Sequence, residues 1–99
     1  MEPYQDFMEI QHDTSARRFV LTREGEQAVL VYQVLEDQKL MHFVRTWVPP
    51  RFRGRGYGAW LVEAGLEHAR SKGYRVTTSC WFVDEFLERR PEFRDLVAG

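Results

Sequence analysis

Residues 51–60 read RFRGRGYGAW, placing three arginines and three glycines in ten positions. These two residue types at this spacing are suited to holding an anion. Glycines let successive backbone N–H groups turn inward into a nest. A helix beginning just beyond adds unsatisfied N–H groups and the positive end of its dipole. Arg51, Arg53 and Arg55 add charge, and the plain alternative is a turn whose arginines are simply solvated. The run lacks the G-x-x-x-x-G-K-[ST] pattern, so a nucleoside triphosphate with magnesium is not indicated. Gly54 to Ala59 formally fits G-x-G-x-x-G/A, but that fingerprint directly follows a strand and is answered by an acid about 20 residues later. Here residues 49–53 intervene, and VTTSC at 76–80 offers no carboxylate. A pyrophosphate held mainly by backbone fits better.

The second candidate is Cys80, the only cysteine. Cysteine is among the most buried residue types and often only packs. At a strand-to-helix junction, however, a helix N-terminus can lower the pKa of a thiol. The histidines, His12, His42 and His68, show no metal-ligand spacing, so no metal site is expected. Glu36, Asp84 and Glu85 are candidate general bases, with nothing to raise one above a solvated charge. Glu63, Glu67 and Arg70 read as a wet helix face, and Trp60 falls opposite that helix's core set.

Composition narrows the class. Fourteen basic residues nearly cancel fifteen acidic ones, for a formal charge of -1. That balance gives no global case for a nucleic-acid or membrane-surface partner. No stretch approaches the roughly 20 apolar residues of a membrane span. A lone cysteine forms no intramolecular disulfide, which points to a reducing, cytoplasmic setting. With 43% apolar and 14% aromatic residues, 1–99 is expected to form a single domain around one core.

The elements that must position these residues follow from periodicity. Residues 7–13, 17–24, 27–36 and 39–48 alternate apolar with polar and are rich in Val, Phe, Tyr, Trp and Thr, as antiparallel strands are. Asp37-Gln38 is expected to be the turn before the fourth strand, which Pro49-Pro50 ends. From about 57 to 72 the period becomes helical, with Gly58, Leu61, Val62, Gly65, Leu66 and Ala69 on one face and Gly73 as the C-cap. The buried glycines imply a close approach to the sheet. Residues 74–80 read as a fifth strand. Residues 81–90 form a second helix, with Phe82, Val83, Phe86 and Leu87 inward and Glu85 spaced to pair with Arg89. Phe93, Leu96 and Val97 are expected to close the core. The order β-β-β-β-α-β-α describes an α+β fold, antiparallel at first, with the fourth and fifth strands parallel across a right-handed crossover.

At this level the chain resembles the GNAT N-acetyltransferases. Arg53-Gly54-Arg55-Gly56-Tyr57-Gly58 matches their R/Q-x-x-G-x-G/A signature, between the fourth strand and the next helix. Together with RTWVPP, LVEAGLEHARSKGYRV and SCWFVDEFLERRPEF, it is similar to the small acetyltransferase-like group of about a hundred residues. The resemblance implies a GNAT-like mixed sheet with a splay between the fourth and fifth strands, and acetyl-CoA as the small-molecule acyl donor. It implies a donor site at Trp47, Val48, Arg53, Gly54, Arg55, Gly56, Tyr57 and Gly58. The main chain near Trp47 and Val48 would pair with the pantetheine arm, and its N–H groups would polarise the thioester carbonyl. Cys80 is the implied catalytic residue, in a covalent or activating role. The acceptor is an amine, reached directly or through Cys80. Many members of the group carry His-Thr where this chain has Arg45-Thr46. On a regular strand His42 points away from Arg45 and would not replace that imidazole. The alternative function is a catalytically weak CoA-binding or protein-interaction module.

Overall fold

The computed structural model describes residues 10–98. Five strands form one sheet in the order β1-β2-β3-β4-β5: β1 Ile10–Asp13, β2 Arg18–Arg23, β3 Glu26–Leu35, β4 Leu40–Trp47 and β5 Arg75–Thr78. The first four are antiparallel, and β4 and β5 are parallel. Helix α1, Tyr57–Lys72, makes the crossover between them, and α2, Trp81–Arg89, follows β5. The expected order is therefore the observed one. Residues 7–9 of the first expected strand lie outside the described residues.

One face of the sheet carries the core. Phe19 pairs with Leu30, Leu21 with Ala28, Tyr32 with Phe43 and Met41 with Val76, and all eight are buried. Both helices send their buried side chains into this single core. Gly65 explains how closely α1 lies on the sheet: a Cβ there would sit 2.9 Å from Leu30 Cδ2 and 3.2 Å from Phe43. Gly58 serves a different contact. Its missing side chain makes room for the Phe82 ring of α2, which a Cβ would approach to 2.9 Å.

Several expectations need correction. The β3–β4 connection is a 3-10 turn, Glu36–Gln38, followed by Lys39 in the left-handed conformation at φ 50°. It is longer than a two-residue turn. Helix α2 stops at Arg89, and Pro91 opens a further 3-10 turn, Pro91–Leu96. Its rigid ring suits the start of a turn as well as the end of a helix. Phe93 and Leu96 close the core, but Val97 remains 36% exposed, and its backbone bridges in parallel to Val76 at the β5 edge. The face of α1 read as solvated makes tertiary contacts: Arg70 forks onto Asp95 at 3.0 and 3.1 Å, and Glu63 meets Arg90 at 3.2 Å. Trp60 is half-buried, stacked on Tyr57 with ring centroids 5.5 Å apart.

The most consequential difference is in β4. Tyr32 pairs with Phe43 but Val31 pairs with Arg45, so Val44 is an extra residue, a β-bulge. The bulge reverses the alternation of the strand. His42 opposite Gln33 and Arg45 opposite Val31 therefore lie on the same face, contrary to the regular-strand expectation. Beyond the bulge, Thr46 pairs with Leu30 and turns toward the core face.

Candidate functional site

The bulge also marks where β4 and β5 part. Their pairing runs only from Leu40–Arg75 to Phe43–Thr78, closed by the Ser79 N–H donating to the Phe43 carbonyl at 3.0 Å. The last four residues of β4 continue without a β5 partner, and a cleft of about 660 Å³ opens beside them.

Four segments build this cleft. The end of β4 supplies Thr46, Trp47 and Val48. The loop after it is compacted by Pro49 and Pro50 into a 3-10 turn that buries Phe52, and then passes through Gly54 and Gly56 at φ 82° and 87°. An L side chain is strained there, whereas glycine is not. Gly56 is the N-cap of α1 and no side chain caps that helix, so its first-turn N–H groups begin among cleft-lining residues. Helix α2 forms the remaining wall through Trp81, Phe82 and Arg89, with Cys80 at its start.

Of the residues expected to hold a donor, Trp47, Val48, Arg53, Gly54, Gly56, Tyr57 and Gly58 line this one cleft. Arg55 does not line it. Its guanidinium stands 5.7 Å from the centre of the Phe52 ring. The three arginines thus separate by role. Arg51 is taken up by Glu24 and Glu26 of the β2–β3 hairpin, at 2.8 Å each. Arg53 donates to the Val48 carbonyl at 2.8 Å and lies 4.8 Å above the Trp47 ring. It is fixed at the cleft without a carboxylate partner among the described residues.

Cys80 is 7% exposed and is the N-cap of α2. Its backbone N–H donates to Thr78 Oγ1 at 2.9 Å, which sets the turn out of β5. Its Sγ lies 3.7 Å from Thr46 Oγ1, across the parting of the strands. Trp47 and Trp81, 48% and 70% exposed, line the cleft beside this pair. His42 sits just before the parting, with Nδ1 2.7 Å from Thr77 Oγ1 and Nε2 3.1 Å from Ser79 Oγ. The candidate bases are elsewhere: Glu36 accepts from the Tyr74 hydroxyl at 3.1 Å, and neither Asp84 nor Glu85 lines the cleft.

Two cleft residues were not evident from the sequence: helical spacing places Phe82 inward and sets Arg89 to pair with Glu85, whereas both line the cleft and Arg89 forms no ion pair with Glu85. His12 and His68, too far apart in sequence to suggest contact, meet with ring centroids 4.4 Å apart beneath α1. Among the described residues no group of three or more His, Cys, Asp or Glu side chains could hold a metal ion.

A parallel pair that separates at a bulge, with a glycine loop and uncapped helix on one side of the opening, defines the class. The chain belongs to the GCN5-related N-acetyl-transferase family, whose model matches residues 18–96. It is similar to Protein NATD1 of Bos taurus, 29% identical over 84 residues that cover 83% of this chain and 74% of that one. Protein NATD1 of Homo sapiens is 26% identical over 84 residues, with the same two coverages. The solution NMR structure of a GCN5-like protein from Staphylococcus aureus superposes with a TM-score of 0.73 at 26% identity, covering 93% of this chain and 89% of that one. The fold is the GNAT-like mixed sheet with parallel β4 and β5.

Proposed function

We propose that the cleft binds acetyl-CoA and that the chain is an acetyl-CoA-dependent N-acetyltransferase acting on an amine. The observation that carries this is the convergence of the glycine loop, the α1 N-terminus and Cys80 on one cleft between parted strands. The charge of the lining fits such a donor. Among the described residues its only formally charged members are Arg53 and Arg89, so these offer cations and no carboxylate to a polyanion.

In this reading the N–H groups around Gly54, Gly56 and the first turn of α1 hold the pyrophosphate. The main chain near Trp47 and Val48, which has no β5 partner, takes the pantetheine arm. The donor brings an acyl group activated as a thioester. The protein's share is to place that group beside Thr46 and Cys80 and to direct N–H donors at the carbonyl oxygen, where charge develops. An attacking amine must be neutral, which calls for a proton acceptor or a water relay.

One observation favours the second reading, a CoA-binding module with weak turnover: among the described residues no carboxylate or imidazole lines the cleft. Calorimetric titration with acetyl-CoA, CoA and dephospho-CoA, followed by an amine panel, separates the two. Binding with acetyl transfer supports the enzyme, and binding without transfer supports the module. No detectable binding overturns both.

A further inference from the structure

Resting on the reading of the cleft as a CoA site, we propose that Arg89 recognises the 3′-phosphate of CoA and makes the protein selective for the 3′-phosphorylated cofactor. Several guanidinium groups elsewhere in the structure are neutralised by carboxylates. Arg51 meets Glu24 and Glu26, Arg70 meets Asp95, and Arg90 meets Glu63 and Glu92. Arg89 forms no ion pair with any described residue, although Glu85 precedes it by one helical turn on the same helix. Instead it lines the cleft.

Its neighbour explains why it stays there. Arg90 reaches Glu92 at 2.6 Å and Glu63 of α1 at 3.2 Å, which pins the C-terminal end of α2 against α1. With Arg90 drawn to that side, Arg89 is left on the cleft wall with Phe82, two helical turns earlier. It stands about 13 Å along the helix from Cys80, at ~1.5 Å per residue. The cleft therefore has the Cys80 thiol at one end of α2 and an unpaired cation at the other.

The glycine loop and Arg53 already supply donors for one phosphate group. A second cation on a separate element fits a ligand with a second phosphate site, set off from the first by a ribose. CoA has that arrangement and dephospho-CoA lacks it. Arginine suits the role because its planar fork binds phosphate through two N–H groups.

Calorimetric titration of the full chain with CoA and dephospho-CoA tests this. The unsubstituted protein should bind CoA roughly tenfold to a hundredfold more tightly, the worth of a charge-assisted hydrogen bond or two. Arg89→Gln should bind both ligands with the affinity the unsubstituted protein shows for dephospho-CoA, and Arg89→Lys should keep part of the preference. Equal affinity of the unsubstituted protein for the two ligands overturns the proposal and leaves the donor site standing. So does an equal loss for both ligands in Arg89→Gln, which would place Arg89 on the pyrophosphate or in the fold. If neither ligand binds the unsubstituted protein, the donor site itself fails, and this assignment with it.

Discussion

His42 and Arg45 lie on the same face of the sheet although an even spacing would be needed on a regular strand, because Val44 bulges out between them. The two then have different surroundings. Arg45 is exposed and unpaired among the described residues, whereas His42 is held by the hydroxyls of Thr77 on β5 and of Ser79 just after it. His42 thus ties β4 to β5 and to the turn beyond it, one position before the last pair, Phe43–Thr78. His42→Ala removes both bonds, each worth about 0.5–1.5 kcal/mol. A loss of about 1–3 kcal/mol is expected in urea unfolding. A midpoint equal to that of the unsubstituted protein would show that the ring contributes nothing to the closure.

Cys80 is expected to carry acetyl during turnover. Incubation with labelled acetyl-CoA should add one acetyl group to the intact mass of the unsubstituted protein and none to Cys80→Ala, whose affinity for CoA should change less than severalfold. Absence of the acetylated form together with full activity in Cys80→Ala removes the covalent route and leaves direct transfer to the amine.

Gly56 and Gly65 are required for different physical reasons, so their substitution should give different results. At Gly56 a Cβ meets nothing within 4 Å, but φ is 87°. Gly56→Val costs about 1–2 kcal/mol in backbone strain and more with its β-branch, and it should abolish CoA binding by moving the N–H groups of the loop. At Gly65 the conformation is ordinary helix and the space is filled by Leu30 and Phe43. Gly65→Ala should cost about 1–3 kcal/mol through overpacking, with CoA affinity retained in the folded fraction. Equal effects of the two on binding would contradict this division.

Acid should weaken the fold through His12 and His68. Burial lowers the pKa of each, and each is lowered further by a neighbouring positive charge, His12 by His68 and His68 by Lys72. The His12 ring also stacks on Phe19 at 4.0 Å and shares a 2.6 Å hydrogen bond with the Tyr32 hydroxyl. A histidine with a depressed native pKa binds fewer protons folded than unfolded. Its contribution is therefore complete above the unfolded value of about 6.5 and is lost as pH falls from there toward the native value. Denaturant midpoints measured from pH 7.5 down to 5.5 should fall more steeply for the unsubstituted protein than for the double variant His12→Gln, His68→Gln. Parallel slopes would assign the acid sensitivity to other groups.

Much of this was legible in the sequence because it rests on local periodicity. The alternation of β2 and β3, the helical repeat of α1 and its Gly73 cap translate directly into structure. So does the glycine loop, since left-handed backbone at Gly54 and Gly56 leaves a mark in residue type. The bulge leaves none. Val44 is as good a strand residue as any, and only the cross-strand register reveals that it has no opposite number. The far wall of the cleft was hidden for a related reason. Spacing along α2 offered Arg89 a partner in Glu85, while the choice between partner and cleft was made by Arg90 and its contacts to Glu63 and Glu92, two of them on other elements. Trp60 is a different case: it stacks on Tyr57, three residues earlier on the same helix, a pairing that i,i+3 spacing allows but does not single out.

A sheet of five strands ordinarily has two borders open to further strands. Where β4 leaves β5 after Phe43, this one acquires a third, inside its own outline. An unpaired strand border is where another chain can add itself, the route to domain swapping and aggregation. Here the opening is only four residues long and is followed, after Val48, by two prolines, neither of which can donate to an intruding strand. The opening proposed for the donor is thus also built to limit what else can enter. The cost of losing Pro49 or Pro50 would appear first as self-association at high concentration, before any loss of fold.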